Sequence, residues 1–93
     1  MVGIKQSDIL IIKCNIQNEM QSYIKMLVQK AMKRYEEEER EIATYIKLKF
    51  DSYYQEYWQC IVGKHFDCSL EFELSRYILL RAKDTFILLF RYN

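Results

Sequence analysis

The spacing of apolar residues changes once along this chain, between Tyr54 and Tyr57, and that change limits the folds open to it. Before the change, apolar residues recur about every 3.6 positions, which is typical of amphipathic helices. After it, they recur about every second position, which is typical of strands with one buried face. Two adjacent helices beside a run of antiparallel strands predict an α+β domain.

The first half of the chain predicts one strand and two helices. Ile9–Ile12 is apolar and β-branched, which favours a strand. Asn18–Tyr35 has helical spacing, and its first residue can form a capping box with Gln21. Glu39–Tyr54 follows a run of four glutamates and predicts the second helix, since a helix N-terminus favours negative charge. Its apolar stripe comprises Ile42, Ile46, Phe50 and Tyr53.

The second half predicts four strands, namely Tyr57–Val62, Phe66–Leu74, Arg76–Arg81 and Thr85–Phe90. Phe66–Leu74 alternates apolar and polar residues without interruption, which indicates one buried and one solvated face. The last two strands are almost continuously apolar, which favours central positions in the sheet. The predicted order is β-α-α-β-β-β-β, with two helices packed on an antiparallel sheet. We expect residues 1–8 to form a flexible leader and residues 9–93 to form the domain.

The composition favours a compact protein that buries part of its surface against a second subunit. Hydrophobic residues make up 51% and aromatic residues 15% of a chain of only 93 residues, a large apolar supply for a small core. The net charge of +1 argues against nucleic-acid binding, which depends on neutralising phosphates. The apolar runs are too short to span a membrane, and no signal pattern opens the chain. We therefore expect a soluble, intracellular protein.

Catalysis and metal binding have weak support. Three cysteines without a secretion signal favour reduced thiols. Cys60, His65 and Cys68 supply three metal ligands at most, whereas a structural zinc site needs four. A Cys60–His65 nucleophile pair would need a setting that stabilises the thiolate, and nothing specifies one. We expect no enzyme activity, cofactor or metal, and keep a thiol-dependent enzyme as the alternative from another class.

Several motifs resemble the eight-kilodalton dynein light chain family, types 1 and 2. The main one reads Tyr57-Trp58-Gln59-Cys60-Ile61-Val62-Gly63-Lys64-His65-Phe66. It is preceded by Ile42-Ala43-x-Tyr45-Ile46-Lys47-x-x-Phe50-Asp51 and followed near the chain end by Phe86-Ile87-Leu88-Leu89-Phe90-Arg91. The similarity runs from about Ile9 to Arg91, and the chain is a divergent member by this resemblance.

The resemblance implies a strand-exchanged dimer that forms a β-sandwich, with Phe66–Leu74 as the strand that crosses to the partner. It implies a non-catalytic module that binds extended peptides of dynein intermediate chains by adding them to a sheet edge, and so promotes motor assembly. The dimer partner would be the chain itself or a related light chain. The implied location is the cytoplasm and the microtubule cytoskeleton, or the axoneme of a cilium or flagellum. The alternative is a general dimerisation hub for linear motifs in non-motor scaffold proteins.

Site residues are carried over from the resemblance by position. The peptide groove would comprise Lys13, Glu39, Arg40, His65, Phe66, Asp67, Cys68, Glu71, Phe72, Tyr77, Leu79, Arg81, Phe86 and Leu88. The dimer interface would include Lys47, Gln59, Ser69 and Leu70. Without the resemblance, ordinary sheet packing explains most of these apolar residues, and the polar ones on Phe66–Leu74 could be a solvated face that discourages edge aggregation.

Several groove positions depart from the family pattern. The departures are Asp67 for glycine, Cys68 for serine, Glu71-Phe72 for threonine–histidine, Leu79 and Arg81 for tyrosines, and Phe86 for alanine. Gln59 replaces a histidine whose protonation loosens the family's dimer. An added phenyl ring and added carboxylates would change which peptides fit. The sequence therefore suggests a specialised member dedicated to one dynein complex.

Overall fold

A computed structural model of the chain describes residues 4–64 and 76–91. Its elements are a 3-10 helix Gln6–Asp8, strand β1 Ile9–Cys14, helices α1 Asn18–Tyr35 and α2 Glu39–Tyr54, and strands β2 Gln59–Gly63, β3 Arg76–Ala82 and β4 Thr85–Arg91. The predicted α+β class and the order of these elements are confirmed. The predicted strand Phe66–Leu74 lies outside the described residues.

The four described strands form one antiparallel sheet in the order β1-β3-β4-β2. The predicted central positions of the last two strands are confirmed. β3 and β4 are joined by a two-residue turn in which Lys83 takes a positive φ of 56°. Within the described residues, β1 and β2 are each paired on one side only. Among the strands that the structure describes, β1 and β2 are therefore the edge strands.

Both helices cover one face of the sheet. α1 contributes Ile24, Leu27 and Val28 to the core, and α2 contributes Ile42, Ile46 and Phe50. These side chains pack with Trp58 and with the inward residues of the strands into one cluster. The helical spacing in the sequence placed these residues on one face of each helix. Within the described ranges, no helix is long and apolar enough to cross a membrane.

The ends of α1 and α2 differ in two details from the sequence expectation. The capping box of Asn18 and Gln21 is not formed, because Gln17 holds the N-cap position and Gln21 Nε2 donates to the Ile16 carbonyl at 2.8 Å. Tyr53 is 59% exposed and does not join the buried stripe of α2, because the core ends at Phe50 and Trp58. The remaining helix bounds agree with those predicted.

Residues 4–8 contact α1 in the structure. Ile4 is 9% exposed, and Gln29 Nε2 donates to its carbonyl at 2.9 Å. Gln6 Nε2 donates to Gln29 Oε1 at 2.6 Å and to the Lys25 carbonyl at 3.2 Å. These bonds connect the short 3-10 helix to the middle of α1. The domain boundary at residue 9 stays a prediction.

Candidate functional site

The sheet has a second face, turned away from the helices, and most of the predicted groove residues that the structure describes lie there. β3 and β4 pair so that Tyr77 opposes Phe90, Leu79 opposes Leu88, and Arg81 opposes Phe86. Because alternate residues of a strand point to the same face, all six share one face. Leu79, Leu88 and Phe90 are buried and form a cluster separate from the main core, with Tyr77 and Phe86 packed against it. We call this surface the outer face.

A bulge in β1 brings Lys13 onto the outer face. Ile11 pairs with Leu80, and Lys13 pairs with Leu79, so Ile12 is an extra residue in the ladder. If Ile12 itself paired with Leu79, strict alternation would turn Lys13 toward the helices. The bulge instead places the lysine beside the Leu79–Leu88 pair. A predicted groove residue therefore joins the others through a local irregularity of the strand.

Glu39 and Arg40 lie in the helix layer, at the start of α2. The residues around them are connected to the sheet by Lys64, which follows β2. Lys64 Nζ lies 3.4 Å from Glu37 Oε1 and 3.1 Å from Asp84 Oδ1. The hydrogen bond to Asp84 raises the pKa of Lys64 and lowers the pKa of Asp84. This contact brings the start of α2, the end of β2 and the β3–β4 turn to one end of the sheet.

Two predicted interface residues occupy different places. Gln59, the first residue of β2, opposes Phe90 and is exposed at the rim of the outer face. Lys47 lies in the middle of α2 and forms an ion pair with Asp51 one turn later. Asp51 also accepts a hydrogen bond from the Trp58 backbone N–H at 2.6 Å. The structure therefore brings Gln59, but not Lys47, together with the groove residues of β3 and β4.

The remaining predicted site residues lie outside the described residues. They are His65, Phe66, Asp67, Cys68, Ser69, Leu70, Glu71 and Phe72. Their assignments to the groove and the dimer interface stay predictions.

The outer face also includes apolar residues that the sequence reasoning missed. Leu10 opposes Arg81 and is 47% exposed, while Ile61 opposes Leu88 and is 45% exposed. Ile12, the bulge residue, is 50% exposed. The signal for Ile61 was available, since it lies two positions after Gln59 and must share its face. The position of Ile12 depends on the bulge, which the sequence does not reveal.

At the opposite end of the sheet, Glu56 connects the first residue of β3 with the last residue of β4. Its two carboxylate oxygens lie 3.4 Å from Arg76 Nη1 and 3.3 Å from Arg91 Nη1. The Arg76 guanidinium also lies 5.5 Å from the centre of the Trp58 ring. Since Arg76 and Arg91 oppose each other across the strand pair, the carboxylate offsets a repulsion between like charges.

Cys60 points toward the helices and packs against the core. Burial raises the pKa of its thiol to about 12. A nucleophilic cysteine needs the opposite shift, because the thiolate is the reactive form. The protonated thiol therefore weighs against the alternative of an enzyme built on Cys60 and His65. Within residues 4–64 and 76–91, no group of three histidine, cysteine, aspartate or glutamate side chains is placed to hold a metal ion.

Comparisons with known proteins agree with this architecture. The family model for dynein light chain type 1 matches residues 8–92. The chain is a member of the dynein light chain family. A "Dynein light chain" from Schistosoma mansoni is 40% identical over 53 residues, which cover 57% of this chain and 60% of that relative. The match thus spans less than two thirds of that relative's length.

Two solved structures show the dynein light chain-like fold. One is the dynein light chain-like domain of the Fasciola hepatica calcium binding protein FhCaBP2, with a TM-score of 0.76 and 18% identity over 99% of both chains. The other is the DLC-like domain of CsTAL3, with a TM-score of 0.77 and 16% identity over 88% of this chain and 90% of that one. At these identities the similarity establishes the fold.

Membership in the dynein light chain family sets the broad class of function. Members are generally non-catalytic and are associated with motors and the cytoskeleton. They generally dimerise and bind dynein intermediate chains.

Proposed function

We propose that this dynein light chain is a non-catalytic dimer that binds extended peptide segments of dynein intermediate chains by strand addition, and so assists assembly of a motor complex. The observation that carries the proposal is the outer face. Apolar residues on both edge strands, Leu10 and Ile61, are nearly half exposed beside a buried apolar cluster. Exposed apolar side chains beside a buried apolar cluster are typical of a protein interface.

We propose that the peptide adds to the edge of Phe66–Leu74, the segment that follows β2 along the chain. Among the described residues, β2 pairs only with β4. α2 runs beside β2, with its start near Lys64 and its end near Trp58. An edge flanked by a helix can align an extended segment by backbone hydrogen bonds and select its side chains through neighbouring pockets.

Two of the departures from the family pattern are neighbours in the structure, which supports a specialised groove. Arg81 and Phe86 oppose each other on the outer face of β3 and β4. They put a guanidinium and a phenyl ring at the end of the sheet where α2 begins. A peptide that needs a small floor at that position would be excluded, and a peptide with a carboxylate there would be favoured.

Sedimentation equilibrium of a matched pair of variants tests the dimer. Ile61→Glu puts a charge on the outer face, whereas Tyr57→Glu changes a side chain that is 85% exposed in the α2–β2 connection. We expect the native chain and Tyr57→Glu to be dimeric at micromolar concentration and Ile61→Glu to be monomeric. A monomeric native chain, or a dimeric Ile61→Glu variant, would show that this face is not the interface.

Calorimetry with synthetic peptides tests the groove separately. A dynein intermediate-chain segment should bind the dimer, and a general family-type peptide with the sequence Thr–Gln–Thr should bind weakly. Micromolar or tighter binding of the Thr–Gln–Thr peptide would contradict the specialised groove. It would favour a general hub for linear motifs and leave the dimer result unaffected.

A further inference from the structure

The contact line between α1 and α2 carries a surface that is only partly packed against the core. Along α1, Tyr23, Met26 and Lys30 lie on one face at three- and four-residue spacing. Along α2, Tyr45, Lys49 and Tyr53 lie on one face at four-residue spacing. The two rows meet where the Tyr23 and Tyr53 rings stack, with centroids 4.5 Å apart. We call these six residues the helix seam.

The helix seam exposes apolar surface in a fixed arrangement. Tyr53 is 59% exposed although it follows the same helical spacing as the buried residues of α2. Its stacking on Tyr23 holds the ring in place, and the pKa of Tyr23 is raised by burial and by neighbouring Tyr53. Met26, one turn from Tyr23, is 36% exposed. A stacked aromatic side chain is well suited to contact a partner, because little side-chain freedom remains to be lost.

Positively charged side chains lie within the helix seam. Between Glu19 and Glu36, and again between Glu41 and Asp51, neither helix carries an acidic residue. Lys30 and Lys49 are exposed within the seam, and neither forms an ion pair with any residue in the described ranges. Lys49 Nζ lies 5.7 Å from the centre of the Tyr45 ring. The acidic residues of the two helices lie at the α1–α2 turn and, at the other end of the seam, at Glu19 and Asp51.

We propose that the helix seam is a second docking surface, which binds an acidic segment of a partner protein that also carries apolar side chains. The apolar residues of the segment would contact Tyr53 and Met26, and its carboxylates would lie near Lys30 and Lys49. The exposed thioether and the phenol rings fit apolar side chains, and the unpaired ammonium groups fit carboxylates. This surface lies in the helix layer, apart from the outer face, so it does not depend on the function proposed above.

The probe is a synthetic helical peptide with leucine on one face and glutamate elsewhere, compared with its counterpart in which lysine replaces glutamate. Titration is followed by ¹H–¹⁵N correlation spectra of the full chain. We expect the glutamate peptide to shift amides of α1 and α2 around the seam more strongly than the lysine peptide. Shifts confined to the strands, or equal binding of both peptides, would overturn the proposal.

A matched set of variants tests which residues of the helix seam contribute to peptide binding. Lys30→Glu with Lys49→Glu should weaken binding of the glutamate peptide about threefold to tenfold and favour the lysine peptide. Lys5→Glu with Lys83→Glu makes the same charge change at exposed positions elsewhere and should have little effect. Tyr53→Ser keeps the charge and should weaken both peptides. If both double variants lose the same affinity for the glutamate peptide, the lysines act only through the overall charge of the protein, which would contradict the proposal.

Two further outcomes identify a different occupant and would also overturn it. A 15-nucleotide single-stranded DNA that shifts the seam amides, where the glutamate peptide does not, would indicate nucleic acid. The second outcome is measured by sedimentation without peptide. If Lys30→Glu with Lys49→Glu changes the oligomeric state and the control Lys5→Glu with Lys83→Glu does not, the seam joins copies of this chain.

Discussion

The two faces of the sheet are built from the same strands but differ in how their apolar side chains are covered. On the helix side, Ile78, Leu80, Ile87 and Leu89 are fully buried under α1 and α2. On the outer face, Leu79 and Leu88 are nearly as buried, yet the neighbouring strands β2 and β1 carry exposed Ile61 and Leu10. The first face is completed by the chain's own helices. The second carries exposed apolar side chains on both described edge strands, which is expected of a face completed by another molecule.

The largest difference is expected in the chemistry of Cys60, which lies on the helix side. With a thiol pKa of about 12 in place of 9.0, its thiolate fraction at pH 8 is about 1000-fold lower than that of an ordinary cysteine. Alkylation by iodoacetamide at pH 8, with each thiol assigned by mass spectrometry, should therefore be at least about tenfold slower in the native protein than in urea, because the smaller thiolate fraction outweighs the greater nucleophilicity of a high-pKa thiolate. Fast alkylation of native Cys60 would show that the helix side is open to solvent.

The raised pKa of Cys60 also makes the stability of the fold depend on pH. The Cys60 thiol of the folded protein keeps its proton above pH 9.0, because its pKa is raised, whereas the thiol of the unfolded chain ionises there. The contribution of the protonated thiol is complete below that pH and declines as the pH rises toward about 12.

A pair of adjacent leucines compares the two faces directly. Leu89 faces the helices and Leu88 faces outward, with exposed fractions of 0% and 4%. Leu89→Ala should lower the free energy of unfolding by about 3 kcal/mol at every protein concentration, since it leaves a cavity in the core. Leu88→Ala should lower the apparent stability in a way that depends on protein concentration, as expected when subunits dissociate. Urea denaturation at two concentrations distinguishes them, and equal behaviour would remove the proposed distinction between the faces.

A substitution of Glu56 tests whether its carboxylate stabilises the arginine pair on the helix side of the sheet. Its removal in Glu56→Gln leaves Arg76 and Arg91 opposite each other without a carboxylate between them. We expect a loss of about 1 kcal/mol in the free energy of unfolding. In the double variant Glu56→Gln with Arg91→Gln, most of that loss should be recovered. If the double variant is no more stable than the single one, repulsion between the arginines is not the cause.

The smallest effect is expected at the other end of the sheet, where Asp84 meets Lys64. The hydrogen bond from Lys64 lowers the pKa of Asp84 below its ordinary 3.8. A lowered folded pKa stabilises the fold above the unfolded value and loses that effect as the pH falls through the folded one. The melting temperature of Asp84→Asn should therefore be slightly below that of the native chain at pH 7 and equal to it near pH 2. A constant gap across this range would exclude ionisation as its origin.

The sequence predicted the helices and the central strands well because their signals are local. The apolar period of α1 and α2 is set by one face packing on a core, and that period is visible in the residues themselves. The near-continuous apolar runs of β3 and β4 likewise indicated burial on both faces. The Asn18–Gln21 capping box and the burial of Tyr53 were wrong, because a neighbouring residue and the end of the core decide them.

The candidate site was less accessible to sequence reasoning. The resemblance named Tyr77, Leu79, Arg81, Phe86 and Leu88, and the register shows that they share one face. Leu10 and Ile61 were missed, and Lys47 lies apart from the others in the helix layer. Which residues of different strands become neighbours depends on register, and register is set by pairing between distant segments.

By itself, the sequence determined the element order, the family and the apolar face of each helix, since all three are carried by residues close together along the chain. Only the tertiary structure decided the order of the four described strands, that the bulge at Ile12 turns Lys13 outward, and that Tyr23 meets Tyr53 at the helix seam. Each of these depends on contacts between residues far apart in sequence. Such contacts form only when the whole domain settles into one arrangement of helices on the sheet.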